Sequence, residues 1–462
     1  MYDARAMPVL LELLASVGWH DAPLDRLKIV DDGLALATPW PVAANAVAAL
    51  AAVGLAAEHL RELRCGARRP VRIETRHAGL AMANSSYLQL DGEAAKFRDP
   101  FTGFYEAANG RAVFLHGNFA HLRDGLVRML GATDAGDVAR VVKDRDAFEI
   151  EALAIEACLC AAAVRTRAEW LGEPQATAVR ALPLVQLARI GEGPKRAPAY
   201  DSEPLAGLRM LDFSRVIAGP MAGRTMAEFG AEVLLVSGPG LPSIQSLVID
   251  TGFGKRSAEV DLRTAQGHAT LDALIGEADF FLDAYRPGAL GAKSYSAEAL
   301  ARTRPGIVHV DLDAFSSAGP WSGRRGYDSL VQATTGMCFD GHSAPANLPC
   351  QPLDYLTGYL AAFGAMVALI RQLSEGGSWS VQLSLARTAE WMWSTFDALG
   401  PERDMPARNP TIDEAGSLIA DYPTAFGKVA ALRPPLQDAG WRWQRGPVPL
   451  GSNEARWRRL PA

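Results

Sequence analysis

Asp354 stands in PLDYLTG, at the start of a long apolar stretch. A carboxylate at or near a helix N-cap meets unpaired backbone N–H groups and the positive end of the helix dipole, and both favour its ionised form. Alone it reads as a cap; within reach of a substrate, an ionised carboxylate is also an oxygen nucleophile. The other reactive residue types form weaker patterns. His116 and His121 lie five apart in LHGNFAHL, a spacing that could serve a metal, but no carboxylate or cysteine cluster accompanies them and they read as structural. Gly254-Lys255-Arg256-Ser257 has the GK of a phosphate loop without its upstream glycine or the hydroxyl that should follow. There is no three-glycine dinucleotide fingerprint and no GxSxG elbow. The five cysteines (Cys65, Cys158, Cys160, Cys338, Cys350) include no CxxC pair, which points away from a disulfide framework or structural zinc and toward a reducing cytoplasm.

These residues need a framework, and the 462-residue chain is long enough for at least two domains. With 49% hydrophobic and 21% charged residues it has the composition of a globular protein with a sizeable core, not a disordered chain. Its 46 basic and 52 acidic residues give a formal net charge of −6, so no general attraction to nucleic acid or anionic lipid is expected. The first residues lack a basic region followed by an apolar run and do not read as a signal peptide. The apolar stretch from Tyr355 to Ile370 is shorter than the roughly 20 residues that span a bilayer, so it is expected to be a buried helix.

Composition breaks near 191–207 and after Gly400 suggest three stretches, 1–200, 201–400 and 401–462. In the middle stretch short apolar runs (208–213, AEVLLVS, 279–282, 307–312) alternate with helical patterns such as 265–277. That alternation predicts an α/β fold, a parallel sheet covered on both faces with ligand sites at the strands' carboxyl ends. The chain also resembles itself. Residues 50–82 lie over 360–392 without a gap, an offset of 310, and Leu50, Ala51, Ala52, Gly54, Arg61, Leu63, Gly66, Val71 and Met82 recur at their shifted partners. Two related half-modules are expected, each an apolar helix, a glycine and a strand.

Six elements in order, LDFSRVIAGP (211–220), GAEVLLVSGPG (230–240), GKRSAEVDL (254–262), ADFFLDAYRPGAL (278–290), GYDSLVQATTG (326–336) and PLDYLTGYLAAFG (352–364), resemble the class III CoA-transferase family, also called the CaiB/BaiF type. FRDPFTGFYEAANGRAVFLHGNF (97–119) and ALPLVQLARIG (181–191) resemble the start and end of that family's small domain, and residues 423–451 its Pro-rich closing segment. The order of parts is permuted: a degenerate half-copy with small-domain material comes first and the CoA-binding core second. The resemblance implies a Rossmann-like CoA-binding core with a smaller α+β domain and a homodimer. It also implies a coenzyme A thioester as substrate with no tightly bound cofactor.

Family members move CoA between carboxylic acids through an aspartate. It attacks the donor thioester, forms a mixed anhydride and expels the CoA thiolate. By motif position that aspartate is Asp354; shifted back by 310 it falls on Ala44, so one active site per chain is expected. The resemblance places Arg215, Val216, Ile217 and Ala218 at the thiol end of CoA, and Lys255, Arg256 and Arg325 near its phosphates. Ala284 and Tyr285 fall against its adenine. Ile217 stands where some members carry glutamine, so backbone N–H groups near Gly219 or at the start of the Asp354 helix would have to stabilise an oxyanion. Ser237 replaces the usual glutamate after the second strand. Two other readings stay open. An α-methylacyl-CoA racemase would need a base where Tyr327 precedes Asp328, and a phenol is a poor base at neutral pH. A catalytically silent acyl-CoA-binding subunit would also suit a degenerate half-copy.

Overall fold

The computed structural model describes residues 5–66, 69–196, 203–436 and 443–458. Its largest sheet is built from the short apolar runs, taken in chain order as β1 (Gln186–Gly191), β2 (Arg209–Phe213), β3 (Glu232–Ser237), β4 (Arg256–Glu259), β5 (Phe280–Asp283), β6 (Val308–Asp313) and β7 (Ser378–Ser384). The spatial order is β4-β3-β2-β5-β6-β7-β1. Every neighbouring pair is parallel except β7 with β1. All four residues of β5 are buried, as a central parallel strand covered on both faces requires. The chain runs outward from β2 through β3 to β4, then returns to the other side of β2 with β5. The sheet therefore changes direction between β2 and β5, where α/β folds open a crevice at the strands' carboxyl ends.

Four helices matter for the site: α1 (Val42–Cys65), α2 (Ala218–Glu228), α3 (Asp328–Thr334) and α4 (Pro352–Glu375). Pro352 starts α4, a position where a missing N–H costs nothing. The internal similarity extends to the elements. Shifted by 310, α1 falls on α4 from first residue to last, and both helices end at a glycine of positive φ, Gly66 at 70° and Gly376 at 71°. A Cβ on Gly54 would lie 2.6 Å from Val71 Cγ1, and one on Gly364 would lie 2.5 Å from Val381 Cγ1, so each helix crosses its following strand at the same close contact. Val71 pairs with Leu27 in a two-stranded parallel sheet, as Val381 pairs with Val310. The helices α1 and α4 pack on each other, and one apolar core runs through both.

A three-stranded antiparallel sheet (Gly103–Glu106, Ala112–Leu115, Ala161–Ala163), backed by the helices Ala120–Leu130 and Ala147–Glu156, forms a smaller α+β unit with its own core. The hairpin Ile419–Thr424/Gly427–Leu432 joins Gln89–Leu90, and Trp457 packs on the large sheet. The first of the three expected stretches does not fold apart from the second, because β1 closes the edge of the large sheet and α1 shares the core of α4. The boundary at 200/201, and residues 437–442 of the Pro-rich segment, lie outside the described residues. By length and composition α1 and α4 could each cross a bilayer, but 94% of each apolar window is packed inside the protein, which takes up their apolar surface.

Candidate active site

Two loops leave the sheet where it changes direction, 214–219 after β2 and 284–289 after β5. They form the walls of a cleft of about 410 Å³. Arg215, Val216, Ile217, Ala218, Ala284, Tyr285 and Arg325 all line it, and so does Asp354. Tight packing fixes these parts against each other. A Cβ on Gly219 would lie 2.5 Å from Ser214 Cβ and 2.6 Å from Ala284 Cβ. One on Gly358 would lie 2.6 Å from the Ala218 carbonyl oxygen, so α4 can reach the start of α2 only through glycine. Val216 has a φ of +74°, a left-handed conformation that costs a β-branched residue about 1–3 kcal/mol. The strain sits at the turn that brings 215–218 to the cleft.

Asp354 is the third residue of α4 and only 7% exposed. The helix-start donors that were expected to favour its ionised form are taken by another carboxylate. Asp328 Oδ2, from α3, accepts from Leu353 N at 2.8 Å and Asp354 N at 3.1 Å, and Gln332 donates to Oδ1. Burial first, and then the neighbouring charge of Asp328, hold the Asp354 carboxyl well above the ordinary carboxylate range. The two acids titrate as a pair. Burial pushes Asp328 up to about 7 against the pull of the N–H groups that donate to it, whereas Asp354 has burial and the charge of Asp328 both raising it, so Asp328 is the first of the two to ionise. Tyr355, on the same helical turn, donates to Asp250 at 3.1 Å and accepts from Ser85 N at 2.9 Å, which ties the start of α4 to the first half of the chain.

A pH prediction follows from this pairing. If attack needs ionised Asp354, the acid limb of kcat/KM lies above the ordinary carboxylate range. Asp328→Asn removes the opposing negative charge, favours ionisation of Asp354, and should move that limb about one pH unit or more downward. A limb that stays in place in a pH–rate profile would show that the pair does not control the reaction.

The rim of the cleft is cationic. Arg215, Arg286 and Arg325 have no carboxylate partner among the described residues, whereas Arg324 is bound to Glu151 at 2.7 Å. Arg215 donates to the Pro242 carbonyl at 3.1 Å and lies 5.9 Å from the Tyr285 ring. The N–H groups of Ala218 and Gly219 have no acceptor among the described residues, so the oxyanion donors left available are on α2 and not on α4.

Lys255 and Arg256 are not in the cleft. Lys255 is 1% exposed; its Nζ lies 2.7 Å from Asp212 Oδ2 and donates to the Pro220 carbonyl at 2.6 Å. Arg256 binds Glu232 at 3.1 Å and the carbonyl of Arg456 at 2.6 Å. Both neutralise acids inside the fold and cannot reach a phosphate in the cleft. The two histidines are placed differently. His116 is buried, stacked on Tyr327 with ring centroids 4.0 Å apart, and burial pulls it down to about 3. His121 instead lines the cleft, contributed by the α+β unit. Burial, then the charges of Arg325 and Arg215, lower its pKa. Asp313 is a second carboxylate in the wall, pushed up to about 7 by burial and by Asp311. The sequence carried a partial signal for Asp328, an acid at the first position of α3 two residues before the apolar pair Leu330-Val331.

An α/β enzyme with a buried carboxylate under a cationic rim is equipped to bind polyanionic acyl compounds and do carboxylate chemistry on them. Residues 205–432 match CoA-transferase family III. The chain is 32% identical to the acetyl-coenzyme A transferase nodX of Hypoxylon pulicicidum over 42% of its own length and 35% of that protein's. It is 29% identical to an acyl-CoA transferase of Gibberella moniliformis over 75% of its length and 70% of the other, a coverage that extends into the first 200 residues. It is 30% identical to the probable fatty acyl-CoA transferase Rv3272 of Mycobacterium tuberculosis over 40% and 51%. A crystal structure of Rv3272 superposes with a TM-score of 0.40 at 29% identity, covering 42% of this chain and 56% of that one. The chain thus spans from about a third to about two thirds of these relatives. The match to CoA-transferase family III covers residues 205–432, just under half of the chain.

Proposed function

We propose that this enzyme moves coenzyme A from one carboxylic acid to another through covalent intermediates on Asp354. The reading rests on one observation: Asp354 opens into the same cleft as the 215–219 and 284–287 turns, under guanidinium groups that have no carboxylate partner among the described residues. Those cations suit the phosphates of CoA, which carry several negative charges.

The steps balance as follows. An Asp354 carboxylate oxygen attacks the donor thioester carbon; the C–S bond breaks and the CoA thiolate leaves, giving a mixed anhydride. For CoA to end on another acid, the thiolate then attacks the Asp354 carbonyl and releases the donor as its carboxylate. The acceptor carboxylate displaces the thiolate from Asp354, forming a second anhydride, and the thiolate attacks the acceptor's acyl carbon and frees Asp354. One thioester replaces another, so no ATP is consumed. The N–H groups of Ala218 and Gly219, without an acceptor among the described residues, are the donors assigned to the oxyanion of each addition. Tyr327, held against His116 with its phenol raised further by burial, is even less available as a phenolate base at neutral pH than an exposed tyrosine, which favours transfer over racemisation.

The test is intact-mass spectrometry after mixing with a panel of acyl-CoA thioesters and rapid acid quench. An acyl or CoA adduct that maps to Asp354 is expected. An adduct on another residue, or turnover with no adduct under any thioester, would displace the assignment.

A further inference from the structure

The first copy of the repeat has a cleft of its own, about 490 Å³ in volume, lined by Asp31, Ala43, Ala44 and Thr75 among others. Shifted by 310, Ala43, Ala44 and Thr75 fall on Leu353, Asp354 and Leu385. The strand register places Asp31 where Ala314 follows β6. Asp354, Leu385 and Ala314 line the catalytic cleft. The two cavities are the same place in the two copies.

In the catalytic copy the first-turn N–H groups of Leu353 and Asp354 are bound by a carboxylate, that of Asp328. Their counterparts on α1 are Ala43 and Ala44, and no acceptor among the described residues takes the N–H groups of these two. A second observation is independent of the helix. Thr75 is 3% exposed, and its hydroxyl has no hydrogen-bond partner among the described residues. Two amides and a hydroxyl, all donors, match an acceptor-only group with two oxygens. Arg5 and Arg403 also line this cleft; of its acids, Glu402 is paired with Arg5 at 3.3 Å, Asp31 accepts from Gly33 N at 3.3 Å, and Asp404 is exposed.

We propose that this second cleft binds a small carboxylic acid, its carboxylate on the N–H groups of Ala43 and Ala44 and the hydroxyl of Thr75, and holds it without activating it. Ala44 offers no nucleophile, and among the described residues before Leu27 there is no strand to match β2–β5. The choice of an acid over other anions rests on the transferase reading, since the repeat relates this cleft to the one that takes the acid substrate.

Ligand-observed NMR with acetate, propionate and succinate tests it, using the full chain carrying Asp354→Asn. Acid binding should persist in that protein and weaken by about tenfold or more on adding either Thr75→Val or Ala44→Phe. Thr75→Val keeps the side-chain shape and removes only the hydroxyl, so it decides the matter if Ala44→Phe disturbs folding. Binding unchanged by Thr75→Val, or lost already in Asp354→Asn, overturns the proposal. Sulfate bound as tightly, with the same dependence on Thr75, would overturn the carboxylate assignment. If the wild type exchanges no CoA yet binds acids in a Thr75-dependent way, the transferase reading fails and this one stands.

Discussion

Replacing Asp354 with asparagine should lower CoA exchange by about a thousandfold or more while acyl-CoA binding survives. The amide cannot form the anhydride, and removing a group that makes the covalent bond typically costs several orders of magnitude in kcat. The cationic rim proposed to hold CoA is untouched, so the loss belongs in kcat and not in the binding constant. Stability separates this result from unfolding. Asp354 has a folded pKa raised above its unfolded value. Its contribution to stability is fully present below the unfolded value and is lost as pH rises through the folded one. The Asp354→Asn protein escapes that loss, so at neutral pH and above it should melt no lower than the wild type. Rapid-quench exchange assays, binding titrations and thermal melts across pH together check the prediction. Retained exchange would move the nucleophile elsewhere, and Asp313 is the other carboxylate in the cleft wall.

The second large effect is on the fold. Lys255→Met should destabilise the protein by about 3–5 kcal/mol, because it leaves Asp212 charged and enclosed, with 0% of its side chain exposed. The hydroxyl of Ser214 also donates to Asp212, but it supplies no countercharge. The protein that remains folded should bind acyl-CoA with KM little changed, since Lys255 lies outside the cleft. Denaturant unfolding and initial-rate kinetics read the two quantities. The opposite pattern, a raised KM at unchanged stability, is what a phosphate-binding lysine would give, and it would return Lys255 to the site.

The contrast between these residues shows how far the sequence could be read. Strand and helix boundaries follow from local periodicity, so 208–213, 279–282, 307–312 and 265–277 were legible to within a residue or two as β2, β5, β6 and the helix Ala265–Ile275. Lys255 was not. GKRS reads as a basic pair near phosphates until β2 is seen to bury Asp212 in LDFS, and a charge inside an apolar strand requires a partner from elsewhere in the chain. That acid was the available clue.

By itself the sequence determined the alternating α/β pattern, the repeat that sets α1 over α4, and the position of Asp354 at the start of a buried helix. Each of these lies within a short span of chain, where side-chain period and helix-end chemistry act locally. Only the tertiary structure decided which carboxylate takes the N–H groups of α4, which basic side chains face the cleft and which lie inside the fold. It also decided that the α+β unit brings His121 to the rim. Ionisation and pairing depend on burial and on distances between groups such as Asp328 and Asp354, or Asp212 and Lys255, that are far apart along the chain, and folding alone sets those distances.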